Sequence, residues 1–320
     1  MMTTPAAANS SKGRNIFFPP PPTTWERFIG LPSAFIAKYI YSIAQSRVAP
    51  TSPSLIHPPI RIVCISDTHN TTLTDVPPGD ILLHAGDMTN SGSFEELQAQ
   101  ITWLNSLPHT HKIAIGGNHD VLLDEEFVKR VPARVFDSHG ATAKNLDWGS
   151  VVYLNDTSVT LDIHGREINV FGCPLTPKLG NWGFQYLRKS DVWTGRVPEG
   201  TDILLTHGPP KGHLDLSWWG CGFLNRELER VQPQLCVFGH IHKGRGKEQV
   251  CWDLTQQLYD RVVTGETGWL GVLRLAVEVA KVTVWGKGFG GREQKGTLIN
   301  AAMARGGRRE RWREKLLSNK

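Results

Sequence analysis

Residues 60–69 read IRIVCISDTH, a short apolar run preceded by Pro58 and Pro59 and stopping on an aspartate and a histidine. Its length, its β-branched side chains and the proline boundary predict a strand buried on both faces. In extended chain, side chains two residues apart point the same way. Asp67 and His69 are therefore expected to offer a carboxylate oxygen and an imidazole nitrogen to one point. That is half of a metal site at the end of a buried strand.

Outward from this run the same punctuation recurs. Apolar strands expected at Ile81–Leu83, Lys112–Ile115, Thr201–Thr206 and Leu235–Phe238 run into HAGD (84–87), GGNHD (116–120), HGPP (207–210) and GHIH (239–242). Ser93 and Glu96 make a capping box for a helix to Ser106, with Phe94, Leu97, Ile101 and Leu104 on its apolar face. Shorter helices are expected near 124–130 and over Leu224–Val231. Residues 151–172 alternate, with His164-Gly165 at a turn, and predict a hairpin; Thr297–Ala302 reads as a last strand. The repetition of strand, loop and helix predicts buried sheets covered by helices, whose strand ends meet at one edge.

The clusters at those ends supply Asp67, His69, Asp87, Asn118, His119, His207, His240 and His242. Carboxylate and imidazole together suit Mn, Fe or Zn, whereas an all-oxygen set would suit Mg or Ca. The donors exceed what one ion needs. A carboxylate shared between two ions roughly 3.5–4 Å apart would use them all.

In order and spacing, DTH (67–69), GD (86–87), GNHD (117–120), HG (207–208) and GHIH (239–242) resemble the five motifs of the calcineurin-like metallophosphoesterases, over roughly residues 60–302. Finer features (LLHAGDMT, HGPPKGHLD with a following GC, and TLINAA) resemble the metallophosphoesterase domain-containing (MPPED) type, for which cyclic-nucleotide phosphodiesterase activity is known. The resemblance implies an α/β (α+β) fold, a four-layer α/β/β/α sandwich with a dinuclear site at the strand C-terminal ends. It implies that Asp67, His69 and His242 hold one metal, that Asn118, His207 and His240 hold the other, and that Asp87 bridges them. His119 is implied as proton donor to the leaving group. Some MPPED-type proteins carry glycine where this chain has His240, so a competent second metal position is expected here.

The implied reaction is hydrolysis of small phosphodiesters, cyclic nucleotides among them, by a metal-bridging hydroxide, with two divalent ions (Mn and Fe favoured, or Zn). A phosphomonoesterase or protein phosphatase on the same site, and a non-catalytic scaffold, stand as alternatives. Asp120 either orients His119 or holds the turn. His84 and His213 are expected behind the ligands. Trp182-Gly183-Phe184 and Trp218-Trp219-Gly220 either stack on a base or pack, with Phe184 and Trp218 the first candidates for stacking.

Three segments frame the domain at 60–302. Residues 1–59 form an extension: a proline-rich start expected to be disordered, then a helix whose Lys38, Ser42 and Gln45 make one narrow polar stripe. An apolar helical insertion is expected near 252–285, again with one polar stripe, although VTVWG at its end could equally be a strand. The helices at 33–46 and 269–285 either pack on the protein or touch a membrane peripherally. The tail, 303–320, is basic: seven Lys/Arg against two Glu between Arg305 and Lys320 equal the formal charge of +5 of the whole chain. The body is thus about neutral, and no specific nucleic-acid partner is expected. Five scattered cysteines without a CxxC pair, and a polar first 15 residues, point to a reducing, cytoplasmic setting.

Overall fold

The computed structural model describes residues 23–45, 58–135, 140–216, 219–285 and 295–303. The proline-rich start, His57, His139, Trp218 and the tail from 304 lie outside the described residues. Strands β1 (Ile62–Ile65), β2 (Ile81–His84), β3 (His111–Ala114) and β4 (Val151–Tyr153) pair in that order, all parallel. A second sheet is built from β5 (Thr157–Ile163), β6 (Arg166–Cys173), β9 (Ile203–Thr206), β10 (Leu235–Phe238), β11 (Gly246–Cys251) and β12 (Lys295–Asn300). Its order is β11-β12-β10-β9-β6-β5; the inner pairings are parallel, and β5 and β11 run antiparallel at the edges. Two-residue strands β7 (Thr176–Pro177) and β8 (Gln185–Tyr186) pair separately.

Strand alternation explains the layering. Ile81 and Leu83 of β2 and Ile203, Leu205, Leu235 and Val237 of β9 and β10 fill one core between the sheets. Leu82, between Ile81 and Leu83, faces the other way, into a core covered by α3 (Phe94–Ser106) through Leu97, Ile101 and Leu104. Leu204, Cys236 and Phe238 face outward from the second sheet onto Leu224 and Leu228 of α5 (Gly222–Val231). The result is helix, sheet, sheet, helix, the expected four layers. None of the five cysteines is in a disulfide.

Two local expectations change. Ser93 caps α3 through Glu96 N–H, but Glu96 turns its carboxylate to Ser91 and Gly92 N–H instead of closing the box on Ser93. Residues 269–285 are helical throughout as α7 (Trp269–Trp285), so VTVW is not a strand.

The N-terminal helices α1 (Thr24–Gly30) and α2 (Pro32–Gln45) belong to the body of the fold. Ala34, Ala37 and Tyr41 of α2 are buried against Tyr259 and Val262 of α6 (Leu254–Val263) and against Val272, Leu275 and Val279 of α7. Tyr41 stacks on Tyr259 at 4.2 Å and its hydroxyl donates to Gln256, while Gln45 reaches Glu248 at 2.9 Å. Thus α2 uses its apolar face inside the protein. Helix α7 also keeps Trp269, Leu270, Leu273, Val277 and Val284 exposed on one stripe, and any lipid contact of this region would have to rest there. Among the described residues no helix is long and apolar enough to cross a membrane.

Candidate metal centre

Five parallel strands stop at the same edge and each releases polar residues into it. β1 ends at Ile65, and Asp67 and His69 follow with φ of 57° and 45°. The expected extended geometry is therefore wrong: a left-handed turn, not strand alternation, makes these side chains converge. Asp87 (φ 54°) and His240 (φ 64°) sit in the same region. Such backbone costs about 1–3 kcal/mol per non-glycine residue and persists only where neighbours over-determine it. Here Asp67 N–H donates to Gly86 O at 2.9 Å, His69 N–H to Asp87 O at 3.1 Å, and His240 N–H to both Asp67 carboxylate oxygens at 3.0 and 3.1 Å.

The expected ligands meet. Asp67, His69 and His242 bring ligand atoms within 4.8 Å of one another, as do His69, Asp87 and His119, and Asp87, His207 and His240. Asn118 joins the last group through Oδ1, 3.0 Å from His207 Nε2. Asp87 lies between the two ends, 3.8 Å from His69 Nε2 and 3.5 Å from His207 Nε2. Two glycines allow this density. A Cβ on Gly117 would stand 2.3 Å from Asp87 Oδ1, and one on Gly239 would stand 2.2 Å from Asp67 Oδ2.

The donor chemistry fits cations. His69 Nδ1 lies 3.0 Å from Thr89 O and His207 Nδ1 lies 2.8 Å from Ala85 O. A carbonyl only accepts, so Nδ1 carries the proton in each ring, and Nε2 of the neutral ring is a lone pair. His69 Nε2 faces His242 Nε2 at 3.3 Å, and His207 Nε2 faces the Asn118 and Asp87 oxygens. At neutral His207, lone pair meets lone pair, an arrangement that a bound cation resolves and the Ala85 carbonyl orients. Protons are the alternative, and the electrostatics show the strain of that choice. Burial opposes charge on Asp67, Asp87, His207, His240 and His242. Even so, the surrounding imidazoles hold Asp67 below and Asp87 well below the usual carboxylate range. Burial also opposes charge on His207, yet Asp87 and Asp67 raise it to about 9, while burial and neighbouring His207 push His240 down to about 3.

Around the cluster the structure separates supporting residues from bystanders. His84, pushed down to about 4 by burial, accepts from Gly86 N–H at 3.2 Å and so donates from Nε2 to Thr68 Oγ1 at 3.0 Å. His119 hydrogen-bonds Asn90 O through Nδ1 at 2.7 Å. Asp120 does not touch that imidazole. Its carboxylate accepts from Met88, Thr89 and Gly117 N–H and from Thr89 Oγ1, pinning Met88 and Thr89 to the turn at 117–120. The orienting role expected for Asp120 is corrected to a structural one. Phe184 is corrected too: buried, it packs in the α3 core with its ring against Gly116, out of reach of a substrate. Trp182, half-buried, lies against the site instead, 4.0 Å from the His119 ring and itself capped by the Arg134 guanidinium at 4.5 Å. Nothing in the local sequence separates Trp182 from Phe184, and Arg134 lies in a segment without a motif. His213 is not behind the ligands. It is buried between Asp260 and Glu248, at 2.8 and 3.2 Å.

The family model described as calcineurin-like phosphoesterase matches residues 60–244. A probable rhamnogalacturonate lyase C of Emericella nidulans is 45% identical over 248 residues, 77% of this chain but only 23% of that protein. The chain thus spans about a quarter of that relative's length, and the lyase name belongs to the longer protein. Metallophosphoesterase domain-containing protein 1 of Homo sapiens is 37% identical over 235 residues, 64% of this chain and 71% of that protein. The crystal structure of TT1561 of Thermus thermophilus superposes with a TM-score of 0.41 at 14% identity, covering 60% of this chain and 84% of that one. With the family model spanning more than half of its length, this chain belongs to the calcineurin-like phosphoesterase family.

Proposed function

We propose that the protein is a metal-dependent phosphoesterase acting on small phosphodiesters, cyclic nucleotides among them. One observation carries this reading: Asp67, His69, Asp87, Asn118, His207, His240 and His242 turn their donor atoms toward each other at one sheet edge. Asp67, His69 and His242 would hold one divalent ion, Asn118, His207 and His240 a second, and Asp87 would serve both. Such ions supply Lewis acidity, neutralising phosphoryl charge and lowering the pKa of bound water toward neutrality. Mn and Fe suit this mixed set of oxygen and imidazole donors.

The chain's own residues do the rest. His119, held through Nδ1 on Asn90 O, keeps one ring face against Trp182 and lies beside His69 and Asp87. It is placed to give a proton to the departing oxygen, a contribution typically worth 10²–10⁴-fold. Asp120 keeps the turn that carries Asn118 and His119 in register with the loop that carries Asp87. The preference for diesters is supported by the fine motifs HGPPKGHLD and TLINAA shared with the MPPED type.

A substrate panel tests the preference. The manganese-loaded full chain should hydrolyse bis-p-nitrophenyl phosphate and 2′,3′-cyclic or 3′,5′-cyclic nucleotides with kcat/KM at least about tenfold above p-nitrophenyl phosphate and phosphopeptides. That ratio corresponds to roughly 1.4 kcal/mol of differential transition-state binding. The reverse order would make the protein a monoesterase.

A further inference from the structure

Packing explains only half of Trp182-Gly183-Phe184. Phe184 belongs to the α3 core, whereas Trp182 joins none of the buried hydrophobic clusters among the described residues. Half-buried, it lies against His119, with ring centroids 4.0 Å apart and planes inclined by 31°. Hydrogen bonds from its own stretch of backbone hold it there. Gly183 N–H donates to Asn118 O at 3.0 Å, Phe184 N–H to Asp124 Oδ2 at 2.6 Å, and Trp182 N–H to Gln185 Oε1 at 3.3 Å. The neighbours of Trp182 are thus bonded to the loop that carries Asn118 and His119. Gly180, with φ of 79°, clears the edge of the indole, since a Cβ there would stand 3.3 Å from its Cδ1 and Nε1. The Arg134 guanidinium lies over the same ring at 4.5 Å and steadies it from outside the loop.

His119 needs such a support. Asp120, next in the chain, spends its carboxylate on Met88, Thr89 and Gly117. Among the described residues the imidazole makes one hydrogen bond, from Nδ1 to Asn90 O at 2.7 Å. A single hydrogen bond fixes one point of a ring and lets the ring swing about it; a flat surface against the ring face removes that freedom. The His69 ring adds a second boundary, meeting His119 edge-on at 4.9 Å and 87°. Carbonyl, indole and His69 together leave the imidazole one orientation, in which Nε2 is the nitrogen left for the site. With His119 and Arg134 already against it, the indole acts as a wall and not as a platform for a base.

We infer that Trp182 is a positioning residue for proton transfer: its indole holds His119 so that Nε2 faces the departing oxygen. This rests on the phosphoesterase reading above. In hydrolysis, water supplies the oxygen that bonds to phosphorus. As the bond to the leaving oxygen breaks, the electron pair stays on that oxygen, which takes the proton from His119 Nε2. The indole then matters in proportion to the need for that proton. A ribose alkoxide needs it, whereas p-nitrophenolate, a stable anion near neutral pH, leaves without it.

The ratio of kcat for 2′,3′-cyclic AMP to kcat for bis-p-nitrophenyl phosphate, measured on the manganese-loaded full chain, tests this. Trp182→Ala should lower that ratio at least about tenfold, a part of the 10²–10⁴ that a well-placed proton donor contributes, with KM little changed. Trp182→Phe, which keeps a flat ring, should restore most of it. The ratio does not depend on how much of a preparation is folded or metal-loaded. A ratio kept in Trp182→Ala would overturn the positioning role, and so would a loss through KM alone, which would make the indole a substrate contact. If the wild type does not turn over both substrates, the hydrolytic reading is what fails, and the imidazole itself decides on Trp182. In the zinc-loaded full chain, the long-range proton–nitrogen NMR spectrum should show one sharp His119 pattern with Nδ1 protonated, identified by its loss in His119→Gln. Trp182→Ala should broaden or split that pattern and Trp182→Phe should return it. An unchanged pattern in Trp182→Ala would overturn the role whatever the activity.

Discussion

Asp87→Asn is expected to lower hydrolysis of bis-p-nitrophenyl phosphate by at least about a thousandfold, roughly 4 kcal/mol of transition-state stabilisation. It is also expected to lower the manganese content of the purified protein. The reason is position. Asp87 lies between the two ends of the cluster, with one oxygen 3.8 Å from His69 Nε2 and the other 3.5 Å from His207 Nε2. It is the carboxylate that both groups of imidazoles share, and its loss removes negative charge from both positions together. The amide keeps the side-chain volume and still accepts from His119 N–H, which meets Asp87 Oδ1 at 2.7 Å, so the fold should survive. Elemental analysis and turnover measured on the same sample check this. A variant with ordinary metal content and ordinary turnover would remove Asp87 from the role of shared ligand.

The second large effect lies far from the metal centre. His213→Gln is expected to cost several kcal/mol of stability at pH 6.5 or below, and this cost is expected to shrink as the pH rises toward 10. Burial opposes a charged imidazole at this position, but Glu248 and Asp260 outweigh it and raise His213 to about 10. In the unfolded chain the group titrates near 6.5. A folded value above the unfolded one means that the stabilisation is complete below pH 6.5 and is lost as the pH climbs through the folded value. Removing the imidazolium leaves two mostly buried carboxylates facing one another, a change of about 3–5 kcal/mol in comparable buried pairs. The consequence spreads, because Glu248 also receives Gln45 of α2 and Asp260 sits on α6. Chemical denaturation of wild type and variant at pH 6.5, 8 and 10 checks it. Curves that stay parallel across that range would show that the charge on His213 contributes nothing.

The fold was legible where burial imposes a pattern. Ile62, Val63, Cys64 and Ile65 are apolar because one pair faces the inter-sheet core and the other faces α3, and no other short element requires apolar side chains on both faces. The site was legible because each such strand ends on its polar residues. The geometry inside the site was not. Asp67, His69, Asp87 and His240 take left-handed backbone that aspartate and histidine seldom adopt, and only hydrogen bonds from distant turns hold them there. The partners that fix the imidazoles are backbone carbonyls of Thr89, Ala85 and Asn90, which carry no side-chain signature. Strand β11 was missed because GKEQVC has neither a long apolar run nor clear alternation; its edge position, antiparallel to β12, relieves it of the need. Asn300 was legible only as part of TLINAA, since its two carbonyl partners come from Leu214 and Ile241. For α2, periodicity marked an apolar face without saying what covers it, and α6 and α7, more than 200 residues further along the chain, turned out to do so.

If these histidines and carboxylates hold divalent metal, phosphoester hydrolysis depends on it. The most direct test is the release of p-nitrophenolate from bis-p-nitrophenyl phosphate by the full chain, first stripped with chelator and then titrated with Mn²⁺. No turnover is expected in the stripped protein, with recovery that saturates near two ions per chain. Turnover that is unaffected by stripping, or a folded protein that stays inert with Mn, Fe and Zn alike, would contradict that dependence.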